Sequence, residues 1–204
     1  MCRFIETICV EAGSALRLDY HNSRLNATRH ELWGDVPELR IELYIQTDGY
    51  VERTRLRIEY DTEIRKVEYI PYHLRSVSSL RLVEMPDDAD YHLKYADRSV
   101  LNALFERRDG SDDVLAVRDG FITDTSIANV ALWDGEQWHT PSHPLLKGTH
   151  RQFLIDNGMM VEREIKTDEL SCYTKIRLFN AMIHFGEIEF STDRLFPDFV
   201  NAPP

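Results

Sequence analysis

Short apolar segments separated by Asp-Gly pairs constrain the fold of this chain more than any other feature. Asp119-Gly120 and Asp134-Gly135 each punctuate a short predicted strand in the second half of the chain, and this dipeptide is a strong signal for a tight β-hairpin. Residues 53–60 alternate basic and apolar side chains, which is typical of a strand with one apolar face. The sequence therefore predicts an α+β fold with mixed or antiparallel sheets rather than a parallel, doubly wound sheet.

Further elements are predicted from hydrophobic spacing and from residues that begin or end helices. A first helix over residues 20–33 is expected to begin with Asp19 as its cap and to end at Gly34. Other helices are predicted over residues 36–46, from Asp97 onward, from Gly148 to about residue 157, and over residues 168–172. Other strands are predicted over residues 3–10, 66–72, 79–83, 159–165 and 175–179, and those at 66–72 and 79–83 are expected to continue the sheet of residues 53–60.

Residues 85–90 interrupt this pattern with a proline and three aspartates. This segment is the best candidate for an interdomain connection. It divides the 204 residues into two predicted domains, 1–85 and 86–204.

Composition argues against several classes of function. A formal net charge of −11 disfavours a nucleic-acid partner and an anionic membrane, so an anionic ligand would need a local positive site. The three cysteines have no CxxC spacing, and the histidines show no HxxxH or HExxH pattern, so neither a disulfide nor a metal site is assigned. Because the chain has no signal-peptide pattern and no apolar run near ~20 residues, we expect a cytoplasmic protein.

Lys94 and Asp124 are the first candidates for a chemical role. The chain has five lysines against nineteen arginines, and only an amine can form an imine with an aldehyde cofactor. Asp124 follows a predicted strand, and a carboxylate at that point could keep a pyridine nitrogen protonated. The plainer alternatives are a solvated lysine before a helix and a turn aspartate bonded to the amide of Thr125 or Ser126.

Gly148 and Arg24 are candidates for binding an anion. Gly148 begins a predicted helix whose first amides, at Thr149 and His150, have no partners within the helix and could hold a phosphate. Arg24 lies on the first predicted helix and could grip the same group. The alternatives are an ordinary helix start and a surface charge near Asp19.

Arg53, Arg55 and Arg57 line one side of a predicted strand and could receive a substrate carboxylate. The alternative is a solvated strand face in which these arginines pair with the glutamates at positions 59, 63 and 68. We expect this second arrangement for at least two of the three.

In their order along the chain, these motifs resemble the class IV aminotransferases, the fold-type IV family of pyridoxal phosphate enzymes. That family includes branched-chain and D-amino acid aminotransferases and aminodeoxychorismate lyase. The matching positions are Glu6-Thr7-Ile8, His21-x-x-Arg24, Lys94, residues 122–129, Leu146-x-Gly148-Thr149-x-Arg151 and residues 178–182. The resemblance implies a small N-terminal α/β domain, a larger C-terminal domain with a mixed, barrel-like sheet, a homodimer, and a small amino-acid-like substrate.

The resemblance also implies roles for individual residues. Lys94 stands at the position of the lysine that holds pyridoxal 5'-phosphate as an imine, and Arg24 at that of a phosphate-binding arginine. The amides of Thr149-His150 resemble those that hold the phosphate, and Ala181 falls in a segment that binds the cofactor. Asp124 stands where the family usually has glutamate, so its carboxylate must come about one methylene closer to the ring through a backbone shift or a water.

Two features favour the lyase branch of the family. Asn180-Ala181-Met182 matches that branch better than the Gly-Thr step of branched-chain aminotransferases, and Ser99 and Val100 stand where aminotransferases carry a tyrosine. The expected reaction is that of 4-amino-4-deoxychorismate lyase, which yields 4-aminobenzoate and pyruvate and belongs to folate biosynthesis. One alternative is an aminotransferase for a small branched-chain or D-amino acid. The other is a non-catalytic relative, motivated by Asp124 and by a chain that begins almost at the Glu6-Thr7 strand, without the leading hairpin of most relatives.

Overall fold

The computed structural model describes residues 3–86, 89 and 91–197. The first sheet contains β1 (Phe4–Glu11), β2 (Ser14–Ala15), β3 (Thr54–Tyr60) and β4 (Ile64–Pro71), in the order β2-β1-β3-β4 with antiparallel neighbours. The predicted alternation in β3 is confirmed, because every second residue from Thr54 to Tyr60 is buried while Arg55 and Arg57 lie on the other face.

Two mixed sheets form the remainder of the strand structure. One contains β5 (Leu80–Glu84), β6 (Asp113–Arg118), β7 (Phe121–Thr125) and β13 (Leu195–Phe196), in the order β13-β5-β6-β7. The other contains β8 (Asn129–Trp133), β9 (Trp138–Pro141), β10 (Val161–Arg163), β11 (Lys175–Phe179) and β12 (Ile188–Ser191), in the order β10-β9-β8-β11-β12. The two Asp-Gly pairs join β6 to β7 and β8 to β9 as antiparallel hairpins, so the α+β prediction with mixed sheets is confirmed.

Three α-helices agree with the predicted ones: α1 (Leu18–Trp33), α2 (Ser99–Glu106) and α3 (Thr149–Asp156). Short 3-10 helices cover Ile41–Leu43, Thr167–Cys172 and Thr192–Arg194. The predicted cap of α1 is wrong, because the helix follows Arg17, which has a left-handed backbone with φ 54° and no side-chain cap. Asp19 lies within the first turn instead, where its charge complements the helix dipole.

Two other predictions are wrong. Residues 36–46 form only the 3-10 turn Ile41–Leu43, because Asn22 and Asn26 of α1 bind their backbone: the Ile41 amide donates to Asn22 Oδ1, and the Leu39 amide to Asn26 Oδ1, both at 2.9 Å. Residues 79–83 do not continue the first sheet, since β5 pairs with β6 and β13. The division of the chain at residues 85 and 86 stays a prediction.

The hydrophobic interior consists of separate clusters. One cluster packs α1 against the first sheet and includes Phe4, Ile8 and Leu25. A second joins the two mixed sheets and includes Leu115, Val130 and Ile176. None of the helices formed by the described residues is long and apolar enough to cross a membrane. Cys9 is a buried free thiol and Cys172 an exposed one, while Cys2 lies outside the described residues.

Candidate active site

Lys94 lies in an irregular segment that is tied to β1. The Ile5 amide donates to the Lys94 carbonyl at 2.9 Å and the Ala96 amide donates to the Arg3 carbonyl at 2.8 Å, so the backbone on both sides of Lys94 is fixed. The side chain is half-buried and faces a cavity rather than the open surface. Burial, followed by repulsion from Arg24, lowers the pKa of the Lys94 amine to about 7. A substantial fraction of this amine is therefore neutral and nucleophilic at neutral pH.

Asp124 is buried near the end of β7. The Asn129 side-chain amide donates to Asp124 Oδ1 at 2.8 Å, and the Leu146 amide donates to Oδ2 at 3.0 Å. The alternative of a turn aspartate bonded to the amide of Thr125 or Ser126 is therefore wrong. Burial raises the pKa of the Asp124 carboxyl to about 6, and these hydrogen bonds oppose a further rise. The carboxylate is thus predominantly ionised above neutral pH.

Asn129 links the Asp124 carboxylate to the start of α3, a role that the sequence reasoning missed. Asn129 Nδ2 also donates to the Leu146 carbonyl at 2.9 Å. A Cβ atom at Gly148 would lie 2.0 Å from Asn129 Oδ1. Because the Gly148 φ of −69° suits any residue, the need for glycine comes from this close approach and not from backbone strain.

The first turn of α3 has free amides beside the cavity. Its first helical hydrogen bond is from the Gln152 amide to the Gly148 carbonyl at 3.0 Å, and no side chain caps the helix. The amides of Thr149 and His150 therefore have no acceptor within the helix and lie at its positive end, which suits a phosphate. The His150 side chain is turned to Asn180, with Nδ1 donating to the Asn180 carbonyl at 2.8 Å, and burial lowers the pKa of His150 to about 4.

Arg24 is not a surface charge near Asp19. Its Nε donates to Glu6 Oε1 at 2.9 Å and its Nη2 donates to Glu6 Oε2 at 2.6 Å, a bidentate pair with a fully buried carboxylate. Its Nη1 donates to the Lys147 carbonyl at 3.4 Å. These bonds fix the plane of the guanidinium close to the start of α3.

Ala181 lies in a turn that Asn180 holds in shape. Asn180 Oδ1 accepts hydrogen bonds from the Met182 and Ile183 amides at 2.8 and 2.9 Å, and Asn180 Nδ2 donates to the Ile127 carbonyl at 2.9 Å. Ala181 and Met182 consequently form part of the cavity wall.

The three strand arginines differ in their partners. Arg57 Nη1 donates to the glutamates at positions 59 and 68 at 3.0 and 3.1 Å. Arg53 forms a bidentate pair with Glu187 at 2.8 and 2.7 Å. The expectation that at least two of the three pair with the glutamates at positions 59, 63 and 68 is therefore wrong, because only Arg57 does so and Arg53 pairs with Glu187. Arg55 Nε is buried without a hydrogen-bond partner, so Arg55 is the arginine best suited to an incoming anion.

These groups converge on one cavity of about 380 Å³, a volume typical of small-ligand sites, which span about 300–1,000 Å³. Of the predicted site residues, those that line it are Arg24, Arg55, Arg57, Lys94, Asp124, Thr149 and Ala181, whereas His150 does not. Sequence reasoning missed Arg98, Tyr91 and Asn129, which also line it. Arg98 stands four residues after Lys94 but outside any helix, so no local pattern in the sequence marks it.

Cys9, Glu11 and His184 bring one ligand atom each within 4.8 Å of one another. The Glu11 carboxylate already accepts from His184 Nε2 at 3.0 Å and lies 3.5 Å from Arg53 Nε. Because a neighbouring guanidinium opposes a cation, we assign no metal to this cluster.

Comparison with known proteins agrees with this geometry. The family described as amino-transferase class IV matches residues 3–189. An uncharacterized protein of Haemophilus influenzae is 32% identical over 186 residues, which cover 89% of this chain and 98% of that one. A solved structure from Haemophilus somnus, named "putative 4-amino-4-deoxychorismate lyase", has 30% identity and a TM-score of 0.81 and covers 90% of this chain and 97% of its own. A Schizosaccharomyces pombe protein, named "Putative aminodeoxychorismate lyase", is 34% identical over 98 residues, 43% of this chain and 42% of that one.

Because the family match includes all the strands and helices that form the cavity, the chain belongs to the class IV aminotransferase family of pyridoxal phosphate-dependent enzymes.

Proposed function

We propose that this chain binds pyridoxal 5'-phosphate in the 380 Å³ cavity and acts as a 4-amino-4-deoxychorismate lyase. The observation that carries the proposal is the convergence of Lys94, Asp124 and the free start of α3 on that cavity. The donor set fits the cofactor: an amine of lowered pKa for the aldehyde, a buried carboxylate for the ring nitrogen, and unpaired amides with Arg24 for the phosphate. When bound, the cofactor supplies a cationic ring that withdraws electrons from the substrate's α carbon.

Lys94 would act twice in this reaction. Its amine would hold the cofactor at the aldehyde carbon, and the burial that lowers the pKa of this amine to about 7 leaves a substantial fraction of it neutral near neutral pH. In its free form, the same amine would take up the α proton of the substrate. A general base held in position contributes roughly 10²–10⁴-fold in rate.

Asp124 would hold a proton on the ring nitrogen. Its two oxygens are each held by one neutral donor, Asn129 Nδ2 and the Leu146 amide, so the carboxylate is oriented without being neutralised by an ion pair. A fixed carboxylate of this kind stabilises the cationic ring through charge.

The lyase reaction is supported by the named relatives from Haemophilus somnus and Schizosaccharomyces pombe and by Asn180-Ala181-Met182 in the cavity wall. In this reaction 4-amino-4-deoxychorismate yields 4-aminobenzoate and pyruvate, which would place the chain in folate biosynthesis. Arg55, whose Nε is unpartnered, would receive a substrate carboxylate, with Arg57 in support. We further propose that the protein is cytoplasmic, as its sequence pattern predicts, and a homodimer, as the family resemblance implies.

Borohydride trapping tests the cofactor proposal. Protein incubated with pyridoxal 5'-phosphate and reduced should carry one pyridoxyl group on the peptide containing Lys94. Lys94→Arg should carry none. Lys175→Arg is the matched control, since Lys175 pairs with Glu189 outside the cavity, and it should be labelled like the wild type. If Lys94→Arg is labelled to the same extent as the wild type, the assignment of Lys94 as the residue that binds the cofactor is wrong.

A product assay separates the two reactions. The lyase should release pyruvate and 4-aminobenzoate in equal amounts from 4-amino-4-deoxychorismate, with no added keto acid. An aminotransferase would instead form a keto acid from an amino acid and leave the cofactor as the amine. A labelled protein with neither activity would be a cofactor-binding relative without catalysis.

A further inference from the structure

Glu6 on β1 is a fully buried carboxylate that touches no part of the proposed chemistry directly. Its two oxygens are shared between Arg24 and His21: Arg24 donates at 2.9 and 2.6 Å, and His21 Nδ1 lies 2.6 Å from Oε2. Burial alone would raise the pKa of Glu6, but Arg24 and His21 reverse that effect and lower it to about 2. Glu6 is therefore an anion at neutral pH.

His21 extends this pair to the start of α3. It is fully buried, and its Nε2 lies 3.2 Å from Thr149 Oγ1. The groups that face it are Glu6, Arg24, Arg17 and Thr149, and burial lowers the pKa of His21, which favours the neutral ring. A neutral imidazole has one N–H, and the ionised Glu6 requires that proton on Nδ1. Nε2 must then accept, so the Thr149 hydroxyl donates to His21.

Arg24 is held by both oxygens of Glu6. A guanidinium has five N–H donors; Glu6 takes two and the Lys147 carbonyl takes one, which leaves two. Those two are fixed in direction, because the bidentate pair fixes the plane of the group. One buried carboxylate thus orients both the arginine and the first residue of α3.

We propose that Glu6 and His21 are positioning residues for the cofactor phosphate. Glu6 fixes the orientation of the Arg24 and His21 side chains, and His21 in turn fixes the orientation of Thr149. The proposal rests on the proposed cofactor function. It assigns no contact between Glu6 or His21 and the reacting atoms. Its consequence is selective, because loss of either side chain should weaken binding of the phosphate while the reaction of Lys94 with an aldehyde remains.

The test compares pyridoxal 5'-phosphate with pyridoxal, which lacks the phosphate. Binding of each is measured as the absorbance change on addition to the apoprotein, for Glu6→Gln, His21→Asn and Thr149→Val. Loss of one hydrogen bond to a charged group raises a dissociation constant by at least about tenfold. For Glu6→Gln and His21→Asn we therefore expect at least about a tenfold loss of affinity for pyridoxal 5'-phosphate, and for Thr149→Val, which removes a hydrogen bond between neutral groups, a loss of about two- to twelvefold. The affinity for pyridoxal should change by less than about twofold in each variant.

Two matched variants control for general damage. Glu189→Gln removes a carboxylate that pairs with Arg177 and Lys175 outside the cavity, and His139→Asn removes another buried histidine. Both should bind the two ligands like the wild type. If Glu6→Gln fails to fold, Thr149→Val still removes the hydrogen bond between Thr149 and His21 without leaving an unpaired charge. Equal weakening of both ligands, or unchanged affinity for both, would overturn the proposal.

Inorganic phosphate separates this inference from the cofactor proposal. Its binding to the apoprotein, measured by calorimetry, does not need Lys94. If wild type binds phosphate and Glu6→Gln binds it at least about tenfold more weakly, the positioning role stands even when borohydride finds no adduct at Lys94. If the adduct forms but Glu6→Gln and His21→Asn retain full phosphate affinity, the cofactor proposal stands and the positioning role is wrong.

Discussion

Gly148→Ala should destabilise the folded protein by displacing Asn129 from the position in which it holds Asp124. The added Cβ would lie 2.0 Å from Asn129 Oδ1 and 3.2 Å from its Cγ, which is far inside van der Waals contact. Asn129 would have to turn away. Two hydrogen bonds are then lost, the one to Asp124 at 2.8 Å and the one to the Leu146 carbonyl at 2.9 Å.

The size of the effect follows from these two bonds. A bond to an ionised carboxylate contributes about 1.5–3 kcal/mol and one to a neutral carbonyl about 0.5–1.5 kcal/mol. Gly148→Ala should therefore lower the free energy of unfolding by about 2–4 kcal/mol. Asn129→Ala deletes the same bonds and should cost a similar amount. Because Gly148→Ala already breaks the hydrogen bonds that Asn129→Ala would delete, the free energy of unfolding of the double variant should be within about 1 kcal/mol of that of either single variant.

Urea denaturation at pH 8, where Asp124 is ionised, measures all four proteins of this cycle. Gly49→Ala is the control, since a Cβ added at Gly49 would meet no heavy atom within 4 Å and the φ of Gly49 is not positive. This variant should change stability by less than about 0.5 kcal/mol. Additive losses in the double variant would refute the idea that Gly148 is required by Asn129. So would a Gly148→Ala protein as stable as the wild type.

Two further predictions concern charged side chains. Lys94→Met should stabilise the apoprotein most at low pH, because the unfolded chain keeps Lys94 protonated to about pH 10 while the folded amine, with a pKa of about 7, is neutral above that value. The wild type should therefore gain stability relative to the variant as pH rises from 7 to 10, and urea midpoints at three pH values check this. Arg55→Leu should raise the KM for the carboxylate substrate by about 10–150-fold, whereas Arg57→Leu should raise it less, because Arg57 is already bonded to two glutamates. Steady-state kinetics that show equal effects would contradict the second prediction.

The strands could be predicted because their signals are local. In β3 the alternation of basic and apolar residues is itself the alternation of the two faces, so the buried face can be read directly. The hairpin β6–β7 is similarly specified by Asp119-Gly120, where Asp119 has φ 54° and Gly120 has φ 78°. The class of fold follows from such elements without any long-range information.

The segment that failed, residues 36–46, is decided by contacts distant in sequence. Its spacing suits a helix, but the Leu39 carbonyl accepts from Asn26 Nδ2 and the Leu39 and Ile41 amides donate to asparagines of α1. Side-chain amides that bind backbone groups compete with helical hydrogen bonds. The sequence of residues 36–46 alone does not indicate this competition, so helix propensity and spacing predicted a helix that does not form.

The charged members of the candidate site were predicted with roles, whereas Asn129 and His21 were included in the matched motifs without their supporting roles. Lys94, Asp124 and Arg24 could be selected because each has a chemical reason to be in a pyridoxal phosphate site. Asn129 and His21 act only through hydrogen bonds to other residues, and such a role depends on which strands and helices lie side by side.

The cavity also explains how a chain with a net charge of −11 could attract an anionic ligand. Five basic side chains line it, Arg24, Arg55, Arg57, Arg98 and Lys94, against the single carboxylate of Asp124. Arg24 and Arg57 are offset by carboxylates behind the wall. Within the described ranges 3–86 and 91–197, no ion pair engages Arg55 or Arg98, and Arg98 donates only to the Ser126 carbonyl and Tyr91. The positive charge of the cavity that no carboxylate offsets therefore resides on Arg55 and Arg98, and in part on Lys94, which is partly protonated at neutral pH. The field that draws in a carboxylate substrate is thus local and opposite in sign to that of the whole protein.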